Sequence, residues 1–530
     1  MHYRRRSLRR RRVLVFVIAT GAMVACSVGD RGRKPDITLA RQDVPAHAYV
    51  DPQPVGSYPS SEQRINGWIN AGQTDSIRAH AWDIWQSMTA AVNDTTPTWQ
   101  TWYTGHELFD SIAMPTSSAR RGNVRLPLER PRQFNHSFLL THGRRRLSSG
   151  IPVDTFERVF AFNRFSRSTA TYIWNSSLNK VLTLFLANEV FNLVKTPIAQ
   201  RELLVSADSV DALSFVTKVV FQFIPGDRVS AIPYWHGYGS NATRTDVPGD
   251  TLHPPPRYWK QGVAVDPTGT LHPGDSVFMA PNDSVPKAWL TVVPLSAFYH
   301  IKVTAADSAN LTAFGSENGD DLGFNADTSQ AAVVAAARPG NYGLMMAMHL
   351  TGKEIPNWTW QSFWWSPTPN DSMGTDRPSS IPSPWNNYVM TTTYSMLTTS
   401  GQPNIGFNPY LETSLAGVTE TKVAWTGVIS NCMSCHRRAA VGYAFDTIGD
   451  TIVAQVASYG PAANVLPGDS LIFNIPIAPV PGVHGTVKTD FLWSVALRAG
   501  LFQSVNILAN GVRKAPPKKA ATRAPAADRK

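Results

Sequence analysis

Phe215-Val-Thr-Lys-Val-Val-Phe-Gln-Phe-Ile224 is rich in β-branched and aromatic residues, alternates along the chain, and stops at Pro225-Gly226. That pattern predicts a strand closed by a turn. Working outward, Tyr342 to His349 and Trp358 to Trp365 read as two further strands, joined by Thr351-Gly-Lys-Glu-Ile-Pro-Asn357. Residues 201–425 are therefore expected to form a β-rich body. The stretch 61–200 reads as mainly helical. There Asp75 stands as a cap before Ile77, Ala81, Ile84, Trp85, Met88 and Val92, which share one helical face and read as core. Leu178 to Val194 is a second amphipathic stretch. The expected fold class is α+β: a helical N-terminal part, a β-rich central body and a small C-terminal unit at 426–512.

The 530 residues are 43% hydrophobic and 16% charged, which builds a large core over two to four domains of ordinary size. The 16 Trp favour a β-rich body with aromatic-lined surfaces or cofactor walls. The formal charge of +11 belongs to the two ends. Setting aside the seven Arg before residue 26, and the seven basic residues and Asp528 after residue 512, 35 of 49 basic and 37 of 38 acidic side chains remain. A body so close to neutral has no basic face for tracking phosphates, so no nucleic-acid partner is expected. The tail 513–530 is dominated by Lys, Arg, Ala and Pro and is expected to be disordered.

Arg4 to Arg12 precede the apolar run Val13–Ala25. This run is too short to span a bilayer but has the length of a signal-peptide core, so residues 1–25 read as a signal peptide. It ends at Met23-Val-Ala-Cys26, which resembles a bacterial lipobox. Cys26 is expected to be lipidated and to become the mature N-terminus. Ser27 after it, in place of Asp, points to the outer membrane, with the body on the periplasmic side. Residues 26–60, polar and rich in Pro, Gly and Ser, read as a flexible tether. The mass of the mature N-terminal peptide checks this: an unmodified terminus at another residue refutes lipidation.

Beyond Cys26 the chain has two Cys, in Ser430-Asn-Cys-Met-Ser-Cys-His436. Two thiols three residues apart at the start of a helix can each add to one haem vinyl group, and the following His then lies under the iron. A thioredoxin-like dithiol needs a βαβ setting and has no use for His436. A zinc site needs ligands that are not there. The expectation is one haem c per chain, attached through Cys432 and Cys435, with His436 as proximal iron ligand. Arg437 to Val441 are expected to continue the helix as far as Gly442. Thr489-Asp490 are expected to cap a second helix from Phe491 to Ala499, so that 426–512 is a cytochrome c-like unit. The sixth ligand stays open. No Met follows Met433. His349, before the Trp358–Trp360 segment, is the first choice and His484 the second; the remaining alternatives are Met345, Met346, Met348, water or a vacancy. His253 and His272, in the echoed Thr-Leu-His-Pro, read as turn residues.

Several segments together resemble a poorly characterised bacterial family of exported single-haem c-type cytochrome proteins. They are Ile77-Arg-Ala-His-Ala-Trp-Asp-Ile-Trp85 with Trp99-Gln-Thr-Trp-Tyr103, the stretch Met348 to Trp360, Asn408-Pro-Tyr-Leu-Glu412, Asn431 to His436, and Thr489-Asp-Phe-Leu-Trp493. The resemblance implies haem and export, and no particular reaction.

The function expected is electron transfer in the cell envelope, to an unidentified redox partner protein, by a chain held to the membrane through its lipid anchor. A haem-dependent oxidoreductase whose β-rich body binds a substrate is the alternative. A third reading is an envelope ligand-binding protein with Trp358, Trp360, Trp364 and Trp365 as an aromatic platform.

Overall fold

The computed structural model describes residues 49–92, 96–109, 159–196, 201, 203, 211–235, 259–281, 285–309, 338–371, 373–402, 404–412, 417–419, 422–424, 431–436, 439–446, 451–456, 486–492, 494–495 and 505–506. The expected signal peptide, Cys26, most of the tether, His253, His484 and the basic tail lie outside the described residues.

Helix α1 (Glu62–Asn70) starts where the Ser61 hydroxyl accepts from the Arg64 backbone N–H. Helix α2 (Thr74–Thr89) buries Ala81, Ile84, Trp85 and Met88 as its apolar spacing predicts, and also His80 and Trp82. Asp75 falls inside its first turn rather than at the cap, and Val92, past its end, is exposed. Helices α3 (Gly105–Phe109), α4 (Arg167–Asn175) and α5 (Val181–Leu193) follow.

Strands β1 (Tyr103–Thr104), β2 (Val159–Phe165) and β3 (Asp211–Ile224) open the largest sheet. A separate four-stranded sheet comes next: β4 (Ser230–Pro233), β5 (Gly262–Val265), β6 (Ser276–Met279) and β7 (Ala288–Val293), in the order β4-β5-β7-β6. His272 lies in the turn between β5 and β6, with its side chain 86% exposed, as a turn residue should. Strands β8 (His300–Lys302), β9 (Tyr342–Lys353), β10 (Thr359–Trp365) and β11 (Tyr388–Thr392) complete the first sheet. Its order is β1-β2-β3-β9-β10-β11, with β8 also paired to β9 and every pair antiparallel. Strands β12 (Gly417–Thr419) and β13 (Lys422–Ala424) form a hairpin, with helix α6 (Pro409–Glu412) before them and the one-turn helix α7 (Cys432–His436) after. Last come β14 (Ala440–Asp446), β15 (Thr451–Val456), β16 (Thr486–Lys488) and β17 (Val505–Asn506), in the order β16-β14-β15-β17. The fold is mixed α+β with largely antiparallel sheets.

Further sequence expectations need correction, among them the helix expected from Phe491, a residue that sits instead in a left-handed turn. A boundary near residue 200 does not divide helix from sheet, because β1 and β2 come from the stretch read as helical. A central strand buried on both faces, as the second half of β3 is, needs a neighbour on each edge, and Val159–Phe165 supplies one by pairing with Val216–Gln222. The helix of the Cys-x-x-Cys-His segment does not run on to Val441; β14 begins at Ala440, where Val441, Tyr443 and Phe445 alternate against β-branched Thr451-Ile-Val453. The proposed tryptophan platform is inside the protein. Trp358, Trp360, Trp364 and Trp365 are each 3% exposed or less, so none offers a face to solvent.

Two polar devices tie α2 to the sheet. Tyr394 lies 2.8 Å from His80 Nδ1, and His80 Nε2 lies 3.3 Å from Glu354 Oε1, which also accepts from the Ser60 backbone N–H. Burial, and next the Glu354 carboxylate, push the Tyr394 hydroxyl well above its ordinary pKa, so it stays a hydrogen-bond donor. All three side chains are sealed from solvent, which makes this an anchor rather than a catalytic relay. Nearer the surface, Arg78 grips both Asp376 oxygens at 2.6 and 2.7 Å, and Trp82 Nε1 donates to Oδ1. Burial alone would raise the Asp376 carboxyl, but the bonds from Arg78 and Trp82 outweigh it and hold the group below its usual value. A depressed native pKa gives stability that is present above the unfolded value and is lost as pH falls through the native one. Asp376→Asn is therefore expected to lower urea stability near pH 7 by about 1 kcal/mol at most, given the group's exposure. The difference should shrink below about pH 4, near the ordinary carboxylate value. A gap that is unchanged at acid pH would refute the ion-pair account.

Candidate haem site

Helix α7 is placed by the residue before it. Asn431 Nδ2 donates to the Asn404 carbonyl at 2.6 Å and to that of Met396 at 3.3 Å, and its backbone bridges to Gly406. Cys432 and Met433 then turn into an apolar core shared with Phe165, Ile173, Trp358, Trp360, Met396 and Phe491. Cys432 is buried and not in a disulfide, with its sulfur 4.0 Å from the Gly406 carbonyl. Cys435 lies on the same helical turn; its side chain is outside the described set.

His436, half-buried, closes the helix. Its Nδ1 lies 2.8 Å from the Phe491 carbonyl, which can only accept. Nδ1 therefore carries a proton, so whenever the ring is neutral its lone pair sits on Nε2. The Trp360 ring packs against the imidazole with centroids 4.6 Å apart, and its own Nε1 donates to the Asn357 carbonyl.

The carbonyl partner is presented by strained backbone. Asp490 and Phe491 have φ of +47° and +68°, and Trp358 has +63°. Such left-handed conformations cost an ordinary residue roughly 1–2 kcal/mol each. Thr489 is fixed on both sides, its N–H on the Ala439 carbonyl and its hydroxyl on that of Leu492. Lys353, the last residue of β9, reaches into the same turn and holds both Asp490 carboxylate oxygens.

Of the residues expected from the sequence, Cys432, Cys435 and His436 share α7. His349 is half-buried on β9, opposite Ser362 and Lys218. Strand alternation puts it on the face of Thr351, and Thr351 is paired with Trp360, so His349 shares the sheet face that carries the tryptophan against His436. Met345, Met346 and Met348 are buried in the larger core, apart from the one that holds Cys432. Met396 is a thioether in the Cys432 core that the sequence reading did not single out, since nothing in its local sequence marks it. Lys353 and Asp490 were legible only as parts of a turn and a cap. Their partnership spans 137 residues and no local signal carries it.

The residues fit a covalently held haem. The two thiol positions and the imidazole lie on one turn beside an aromatic wall, and His436 Nδ1 already has the carbonyl partner typical of a metal-ligating His. Trp358 Nε1 is buried beside them with no acceptor among the described residues, and a haem carries carboxylate acceptors. Among the described residues no three His, Cys, Asp or Glu converge as a metal site, and no helix is long and apolar enough to cross a membrane. No protein-family model, curated protein or solved structure matches the chain.

Proposed function

We propose that this chain is an exported c-type cytochrome that carries one haem and passes electrons to a partner protein in the cell envelope. The observation that carries the reading is the single turn Cys432–His436, whose terminal imidazole is oriented through Nδ1 by the Phe491 carbonyl. Bound there, a haem supplies a one-electron iron couple. The chain's own residues do the rest. Cys432 and Cys435 would provide the thioether attachments, and His436 Nε2 would provide the proximal nitrogen. Trp360 shields one side of the imidazole from water. Residues 426–512 are the haem-bearing unit, built around a small antiparallel sheet rather than crossing helices, and Cys26 anchors the chain by lipid on the periplasmic side of the outer membrane.

The test is a reduced-minus-oxidised spectrum of haem-matured protein followed by carbon monoxide. A carrier is expected to show a c-type spectrum and to resist CO. Ready CO binding would favour the haem-dependent oxidoreductase instead, and absence of a c-type spectrum would remove both. His349, on the face of Trp360, is the proposed sixth ligand, with His484 behind it. Bis-imidazole ligation holds the potential below that of His/Met, because imidazole donates more strongly to ferric iron. Near-infrared magnetic circular dichroism of the ferric protein is expected to show a His/His signature that His349→Ala abolishes. A signature altered only by His484→Ala reverses the choice, and a sulfur-to-iron band transfers it to Met396.

A further inference from the structure

We infer that the buried Lys353–Asp490 ion pair is a positioning device for the proximal ligand: it holds the Phe491 carbonyl on His436 Nδ1 and so sets how strongly that imidazole donates. This rests on the haem reading above. Lys353 has three N–H donors, and all are used: on Asp490 Oδ1 at 2.6 Å, on Oδ2 at 2.9 Å and on the Pro356 carbonyl at 2.8 Å. Its Nζ also lies 5.0 Å from the Trp358 ring centre. Both charged side chains are 1% exposed. Burying such a pair gains little net stability, because desolvation offsets the attraction.

The backbone at Asp490 gives the pair a purpose. Asp490 and Phe491 are consecutive left-handed residues, and neither is a glycine. Left alone, these two residues relax toward ordinary φ, which swings the Phe491 carbonyl away from its place. The Asp490 side chain is the handle on that turn, and Lys353 grips it from the end of the central sheet. The carbonyl thus stays 2.8 Å from His436 Nδ1. An imidazole held this way keeps one tautomer and one orientation and is the stronger donor. Releasing it weakens donation to ferric iron and favours the ferrous form.

Two variants of the full-length chain test this. Asp490→Asn keeps the shape and removes the charge. The pair Lys353→Met with Asp490→Leu removes both charges together, so that neither is stranded. Both are expected to raise the midpoint potential by the equivalent of a tenfold change in the ferrous/ferric ratio, about 59 mV for one electron. In the haem-free chain both are expected to erase the Nδ1–H signature from the 15N resonances of His436. Lys353→Arg, which keeps charge and donors, should leave both readouts in place. An unchanged potential and tautomer in a folded variant overturns the positioning role, as does failure of both variants to fold, which would leave the pair purely structural. A wild-type chain that takes up no haem would overturn the underlying reading instead, while the 15N result still reports on the ion pair.

Discussion

Changing Cys432 and Cys435 together to Ala is expected to abolish haem staining of the denatured chain completely, while each single change leaves one thioether bond and a weakened band. Only covalent haem survives denaturation and electrophoresis, so the stain reads attachment rather than affinity. His436→Ala separates the two roles on the turn. The sulfurs still hold the group and the stain persists, but the spectrum of the native protein changes because the proximal nitrogen is gone. Cys432 is 8% exposed and packs in the core of Phe165, Trp358 and Phe491, so changing it also touches that core. The double variant should also be the less stable protein, since the packing and distal ligation that a tethered haem would make exist only in the folded state. Staining that persists in the double variant, or that depends on Cys26 alone, would refute the assignment.

What could be read from the sequence follows from how local each signal is. The strand Phe215–Ile224 and the helix through Ile77, Ile84, Trp85 and Met88 were legible because periodicity within one element decides them. The one-turn helix Cys432–His436 was legible because its pattern sits within five residues. Val159–Phe165 was missed as a strand because it draws its stability from β3, on which it lies. The run from Arg437 to Val441 was misread because Ala439 and Ala440 suit a helix in isolation; sheet pairing of Val441 with Val456 and Val487 overrides that propensity. The site's support was the least legible part. Lys353 with Asp490, His436 with Phe491 and Asn431 with Asn404 are pairs whose members are distant in sequence and meet only when the sheet has assembled. Even so, His80, Lys353, Glu354, Asn431, His436, Asp490 and Phe491 all lie in short segments that stand out in the sequence.

The largest stability effect is expected at Trp85→Ala. The Trp85 side chain is fully buried, stacks on Phe363 with ring centroids 4.1 Å apart, and meets Trp385 edge-on at 5.6 Å and Tyr388 at 5.4 Å. Its Nε1 points to the Trp385 carbonyl at 3.4 Å. Truncation removes a large apolar payload in the joint between α2 and the sheet, and leaves a cavity that strands already paired as β10 and β11 cannot close. The expected loss is about 3–5 kcal/mol, toward the upper end because several aromatic contacts worth about 0.5–1.5 kcal/mol each go with it. Trp289→Ala is the control. That ring is 72% exposed and, among the described residues, meets only the Phe278 ring, so its loss should stay within about 0.5 kcal/mol. Guanidinium unfolding of the two variants decides the matter: the midpoint should fall sharply for Trp85→Ala and hardly move for Trp289→Ala, at similar slope. Equal shifts would mean that α2 is not packed on the sheet in this way. Because Trp85 lies in the larger core and Cys432 in the other, the Trp85→Ala protein that does fold should retain its covalent haem stain, so that a loss of stability and a loss of the site are read separately.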